Sequence, residues 1–352
     1  MSKRNLGARR LIGRLLGRRE QRVAAPELSE AERSFRHIWR YLIATGSAVR
    51  PRNRNRPNVL VLQMGKVASL AIQQALDEGG VNAFHTHSLS QASQERLFGH
   101  LLTSEFTFRL SSHDLRYHVQ NVALHMLVRW YQTHRRYHGQ RLKVITLTRD
   151  PVTFYISSFI QRHAFVLPDV RTWRRARLGA AAGAELDDAQ AVQDFAAELA
   201  SIIATAGVDK GDGPVEIAQN RWPDHPVVAQ EVKTCLRPLT WFDTEITGIF
   251  GLDALASPEL RQRGWVVLEN DWVEILALRF EQLSSLVPKI ADFAGVSQLR
   301  LGERNVTSRK AGASIYKSAI QAAFETPAGQ AYVRSLRASA YARACGYDQP
   351  TW

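Results

Sequence analysis

The sequence predicts an α/β domain of three layers, α/β/α, with a mainly parallel sheet, preceded by a basic arm and carrying a helical insertion. Three observations predict it. The apolar run Val59-Leu60-Val61-Leu62 leads through a tight loop into Ala68, Ile72, Ala75 and Leu76 at helical spacing. The same strand, loop, helix order recurs at Lys143 to Thr148 followed by Arg149-Asp150-Pro151. With 352 residues, 45% hydrophobic and 22% charged, the chain is long enough for one large α/β domain and too apolar for disorder.

The net charge of +13 belongs to the arm. Residues 1 to 56 hold 15 Lys and Arg against four acids, whereas the remaining 296 hold 31 against 29, an ordinary globular balance. Leu6, Leu11, Ile12, Leu15 and Leu16 stand between arginines near helical spacing, so the arm reads either as a short amphipathic helix for an anionic membrane surface or as a solvated basic tail. Residues 1 to 30 contain no Phe, Trp or Tyr to stack on bases, which argues against nucleic acid as the partner. No run approaches the roughly 20 apolar residues of a membrane span, and Arg14 breaks the one short apolar run that could pass for a signal peptide. Cys235 and Cys345 form no Cys-x-x-Cys pair and no disulfide framework, which fits a reducing, cytoplasmic setting, peripheral to the membrane if the arm binds it.

Residues 1–57 are thus arm and linker, and 58–352 the folded domain. After the first strand, Gln63-Met64-Gly65-Lys66 is the loop, Gly79-Gly80 stops the helix, and Val81 to His87 is the second strand of a βαβ unit. Lys143 to Thr148 is the next strand; Asp150 can cap and Pro151 open a helix running to about His163. Residues 171–220, Arg-rich and then Ala-rich with scattered glycines, read as a helical insertion or lid. Trp265 to Leu268 is a later strand, and residues 273–294 alternate helix and short strand signals.

A Gly-Lys pair between a buried strand and a helix lies where backbone N–H groups and the helix dipole meet an anion. Gly65-Lys66 is such a pair, but Val67 stands where a nucleotide-dependent kinase or ATPase loop carries its Mg²⁺-binding hydroxyl, and no glycine stands five positions earlier. What remains is a metal-free loop, Gly65, Lys66, Val67, Ala68 and Ser69, built to neutralise anionic oxygens. Arg149, with Ser157 two helical turns later, can hold a second phosphate at the same sheet edge.

These two units resemble the sulfotransferase superfamily. The similarity is greatest to its capsular polysaccharide synthesis (NKWYS-type) branch and extends to heparan sulfate 2-O-sulfotransferases. It rests on Gln63 through Ser69, His85-Thr86-His87, Arg149-Asp150-Pro151-Val152, Trp241 through Glu245, Leu278 through Leu283, and Asn305 through Lys310 to Tyr316. The resemblance implies a P-loop-like fold that binds 3′-phosphoadenylyl sulfate without a metal, leaves adenosine 3′,5′-bisphosphate, and sulfates a hydroxyl of a glycan or glycolipid in capsular or exopolysaccharide synthesis. It implies that Gly65 to Ser69 hold the 5′-phosphosulfate, that Arg149 and Ser157 hold the 3′-phosphate, and that Lys310 lies near that phosphate or the adenine. Ala68 stands where the family usually has glycine, and Leu70 where a hydroxyl usually supports the phosphosulfate. A methyl at position 68 is expected to fit if its backbone is helical.

Sulfuryl transfer to a hydroxyl needs a base and cations around the leaving phosphate. His85 and His87 point to one face of the second strand by its period of two; His87 lies nearer the carboxyl end and is the expected base, with His85 second. Lys66 would protonate or shield the bridging oxygen as its bond to sulfur breaks. His113, His118, His125, His134 and His138 invite a metal reading that Arg135 and Arg136 oppose. Two alternatives remain at this point: a nucleotide-dependent kinase on the same scaffold, and a non-catalytic glycan-assembly factor.

Overall fold

Strand β1 (Asn58–Leu62) is buried at all but its first position, the pattern of a strand covered on both faces. The structure, a computed structural model, describes residues 57–95, 112–138, 141–179, 187–208, 212–302 and 312–349. The basic arm, Asn305 to Lys310, and the side chains of His113, His118, His134 and His138 lie outside them. After β1 come α1 (Ser69–Glu78), β2 (Asn82–Thr86), α2 (Ser112–His138), β3 (Leu142–Thr148), α3 (Pro151–Leu178), α4 (Asp188–Ala206), α5 (Gly213–Arg221) and α6 (Pro226–Phe242). A π turn (Asp243–Thr247) continues α6; then follow α7 (Pro258–Arg263), β4 (Trp265–Glu269), β5 (Val273–Arg279), a 3₁₀ turn (Phe280–Gln282), α8 (Leu283–Ala294), α9 (Ala313–Glu325), α10 (Pro327–Ala338) and α11 (Ala340–Cys345).

The sheet order is β2-β1-β3-β5-β4, parallel except for β4 against β5. The hairpin between β4 and β5 is set by Asn270, whose side-chain oxygen accepts from the N–H groups of Trp272 and Val273 at 3.1 and 3.2 Å. Alternation along the strands splits the core into two faces. Val59, Val61, Ile145, Leu147, Leu276 and Leu278 pack with Ile72 and Leu76 of α1 and Ile290 and Phe293 of α8. Leu60, Leu62, Val144, Ile275 and Ala277 pack on the other side with Leu124 and Val128 of α2 and Phe242 at the end of α6. Helices therefore cover both faces.

A second core is wholly helical. Phe159, Val170 and Trp173 of α3 meet Phe195 and Leu199 of α4, Val232 of α6, Ile320 of α9 and Tyr332 of α10. Helix α6 joins the two cores, contributing Val232 and Leu236 to this one and Trp241 and Phe242 to the sheet's.

Three boundaries differ from the sequence expectation. Helix α3 runs to Leu178 rather than about His163, so the expected insertion at 171 begins inside it; Val166, Leu167, Val170 and Trp173 are buried, and that packing carries the helix through Pro168. Residues 273–279 form one continuous strand because β5 lies between β3 and β4. Strand β2 stops at Thr86, which leaves His87 on the loop just beyond it.

Candidate active site

Strand order reverses between β1 and β3, because the chain leaves β1 for β2 on one side and later returns to β3 on the other. Open α/β sheets bind ligands in the crevice beyond the carboxyl ends of strands at such a switch point. Here the loops that follow the two strands open with Gln63 and Arg149, and they touch: the Arg149 guanidinium donates through Nη1 to the Lys66 carbonyl.

The first loop is tightly wound. Gly65 has φ 101°, and the non-glycine residues Lys66 and Ala68 have φ 61° and 60°. Such left-handed positions cost an ordinary residue roughly 1–2 kcal/mol each. The condition under which a methyl at position 68 would fit, a right-handed helical backbone, is not met: Ala68 is left-handed, with ψ 22°, at the N-cap of α1. A glycine would sit there without strain, which gives the departure at position 68 a physical meaning. The α1 N-cap makes no side-chain hydrogen bond, so the first turn keeps main-chain donors for an anion. Ser69 is buried at that turn, whereas Leu70 is 43% exposed. Strained backbone of this kind clusters at ligand clamps and active sites.

Gln63 ties the loop to the histidines. Its buried side chain accepts from the Gly65 N–H at 2.6 Å through Oε1, while Nε2 lies 3.5 Å from His85 Nε2 and 3.3 Å from His87 Nδ1. The rings of His85 and His87 meet edge to face, with centroids 4.5 Å apart, although His87 lies just beyond the end of β2. His87 Nδ1 is 2.8 Å from the Gln63 carbonyl, which can only accept. Nδ1 therefore carries the proton and Nε2 the lone pair, the tautomer that a general base requires.

Burial lowers His85 to about 4. His87 is lowered to about 3, first by burial and then by His85, Arg237 and Lys66, with the Gln63 carbonyl acting the other way. Both imidazoles are neutral at pH 7.

Arg149 is held on every side. Its guanidinium lies over the Phe280 ring, 4.5 Å from the centroid. Tyr341 Oη accepts from the Arg149 N–H at 3.0 Å and donates to its carbonyl at 2.9 Å. Glu281 accepts from the Asp150 N–H at 2.9 Å and from Tyr347 Oη at 2.6 Å. Burial lowers the Arg149 pKa and Glu281 and Asp150 oppose it, so the side chain stays a cation, packed and partly desolvated. Its Nε is buried with no hydrogen-bond partner among the described residues. Asp150 caps α3, accepting from the Thr153 N–H at 2.8 Å, as its place before Pro151 predicts. Ser157 is buried two turns into α3.

The structure thus brings Gly65, Lys66, Val67, Ala68, Ser69, His85, His87 and Arg149 to one end of the sheet; the expected role of Lys310 falls outside the described residues. Sequence reasoning assigned no role to Gln63, Arg237 or Glu245. Trp241 Nε1 donates to the His87 carbonyl at 3.0 Å, and Glu245 accepts from the N–H groups of Leu89 and Ser90 at 2.5 and 2.8 Å and from the hydroxyls of Ser90 and Ser93, both at 2.8 Å. These contacts fasten the histidine loop to the end of α6. Only the order Trp241 to Glu245 signalled them, and it fixes no partner.

Among the described residues, cavities also lie elsewhere, in the helical layer. One of about 570 Å³ is lined by Arg162, Trp222 and Lys233, and one of about 510 Å³ by Gln193, Ser314 and Ser318. Among the described residues no three His, Cys, Asp or Glu side chains gather as a metal site, and no helix is long and apolar enough to cross a membrane. No protein-family model, curated protein or solved structure matches the chain.

Proposed function

We propose that the chain is a sulfotransferase that moves the sulfuryl group of 3′-phosphoadenylyl sulfate to a hydroxyl of a glycan or glycolipid. One observation carries the reading: a left-handed Gly65-Lys66 loop, braced by Arg149 across the switch point, stands beside a buried, neutral histidine whose Nδ1 faces the Gln63 carbonyl. The donor set suits oxyanions without a metal: one lysine, main-chain N–H groups of the first turn of α1, the Ser69 hydroxyl, and an arginine with an unspent Nε–H.

The donor, when bound, supplies the sulfuryl group and its phosphate leaving group. The chain's own residues would do the rest. His87 Nε2 takes the proton of the acceptor hydroxyl as the acceptor oxygen bonds to sulfur, while the Gln63 carbonyl holds the ring's own proton on Nδ1. Lys66 and the loop N–H groups stabilise charge on the departing phosphate oxygen, in a P-loop-like role without Mg²⁺. Arg149 and Ser157 would bind the 3′-phosphate. A glycolipid or capsular acceptor suits the basic arm, whose charge would hold the enzyme at an anionic membrane surface.

The test is transfer of radiolabelled sulfate from the donor to cell-envelope glycans. His87→Ala should lower turnover by roughly 10²- to 10⁴-fold with donor binding retained. Undiminished transfer in His87→Ala would move the base elsewhere, and no transfer by the unaltered protein to any envelope fraction would count against the reading.

A further inference from the structure

The cavity of about 570 Å³ between α3, α5 and α6 plays no part in the reading above. Its size is that of a small-molecule site. Val166 of α3, Val227 of α6, and Pro223 and Pro226 at the approach to α6 give it apolar wall, with Trp222 half-buried among them. That indole is fixed in place: its Nε1–H donates to Glu198 at 3.0 Å, and its ring meets Trp173 edge to face with centroids 5.5 Å apart.

Polar side chains stand around this apolar surface. Arg162 lines the cavity while paired bidentately with buried Glu231 at 2.6 and 2.9 Å. Of the five N–H groups of a guanidinium the pair uses two, and the others make no hydrogen bond to a described residue. Asp169, Gln219, Gln230 and Lys233 line the same cavity, and their side chains make no hydrogen bond or ion pair to a described residue.

We propose that this cavity is a saccharide-binding subsite that takes a neutral, hydroxyl-rich glycan unit. A hydroxyl both donates and accepts, and the wall offers donors on Arg162 and Lys233, an acceptor on Asp169, and both on the amides of Gln219 and Gln230. The C–H faces of a pyranose suit the indole and the prolines. The charges lining the cavity cancel, Arg162 against Glu231 and Lys233 against Asp169, so an anion gains no net attraction there. A purely apolar ligand would strip water from these polar groups and satisfy none of them. The buried pair points the same way, because apolar side chains of similar volume would serve stability at least as well.

The place of the cavity assigns it to a distal part of a glycan chain. Helix α3 begins at Pro151, just past Arg149, and Arg162 and Asp169 stand 11 and 18 residues along it, roughly 16 to 27 Å at 1.5 Å per residue. That this sugar belongs to the acceptor rests on the sulfotransferase reading; the binding itself does not. Binding energy gained so far from the reacting hydroxyl would favour oligosaccharides over single sugars.

The test is calorimetry on the full chain with neutral hexasaccharides of glucose, galactose, mannose and N-acetylglucosamine, and with oligogalacturonate as the acidic counterpart. Two double variants of exposed cavity residues are compared with the unaltered protein, Asp169→Ala with Gln230→Ala and Gln219→Ala with Lys233→Ala, and Lys289→Gln on α8 is the control. Equal melting temperatures would establish that the variants are folded. At least one neutral hexasaccharide should bind, and each double variant should weaken it roughly tenfold or more through two lost hydrogen bonds, with Lys289→Gln unchanged. No neutral hexasaccharide bound, binding confined to oligogalacturonate, or affinity unchanged in both double variants would overturn the subsite. Saccharide binding that depends on the cavity, in a protein that fails to bind adenosine 3′,5′-bisphosphate, would contradict the sulfotransferase reading alone.

Discussion

Replacing Ala68 with glycine should stabilise the protein, against the usual direction of that change. Ala68 has φ 60° and ψ 22°, a region that costs an L-residue roughly 1–2 kcal/mol. Against this relief, glycine loses about 0.4–1 kcal/mol through the greater freedom of the unfolded chain. The half-buried methyl, packed at the edge of the α1 and α8 core, gives up about 0.4 kcal/mol, half the value of a buried methylene. The balance is a gain of about 0.5 kcal/mol. Ala75, buried in the interior of α1, is the matched control: Ala75→Gly loses about 1 kcal/mol of helix propensity and about 0.8 kcal/mol of burial. The two Ala→Gly variants should therefore separate by about 2 kcal/mol in urea unfolding, with equal m-values. Equal destabilisation by both would mean that Ala68 is not left-handed, and the strained-loop account would fall.

Acidification should destabilise the fold through the two histidines. Their folded pKa values, about 4 and about 3, lie below the unfolded value of about 6.5, so between these limits the unfolded chain binds more protons. Stability is then lost as pH falls from about 6.5 toward about 4, by at most about 1.4 kcal/mol per pH unit for each histidine. A double variant, His85→Gln with His87→Gln, should give a flatter stability profile between pH 6.5 and 5 in urea titrations; an unchanged slope would show that these rings are not buried neutral. In the helical core, Arg162 makes a bidentate pair with Glu231 at 2.6 and 2.9 Å, and the Glu231 side chain is 1% exposed. Arg162→Met should cost about 3 kcal/mol by stranding that carboxylate, and adding Glu231→Leu should recover most of it. A loss under 1 kcal/mol for the single variant would contradict the pairing.

What the sequence revealed was local. The strand, loop and helix units at Val59 to Leu76 and at Lys143 to Pro151 follow from apolar periodicity and from Asp150 and Pro151 at a helix start, and they foretold which loops meet at the sheet edge. The left-handed state of Lys66 and Ala68 was hidden, because neither residue type favours it; the surrounding packing imposes it. Tyr341 reaches Arg149 from 192 positions away and Trp241 reaches His87 from 154, and no pattern along the chain encodes such contacts. Helix α3 outruns its expected end near His163 because burial of Val166, Val170 and Trp173 in the helical core carries it on through Pro168.

The proposed function requires that the crevice between the ends of β1 and β3 bind a nucleotide bisphosphate without a metal. Calorimetric titration of the full chain with adenosine 3′,5′-bisphosphate in the presence of a chelator tests it most directly. Saturable binding at one site is expected, weakened tenfold or more by Lys66→Ala or Arg149→Lys, each removing a charged hydrogen bond. No binding of the bisphosphate, or binding of ATP only with Mg²⁺, would contradict it.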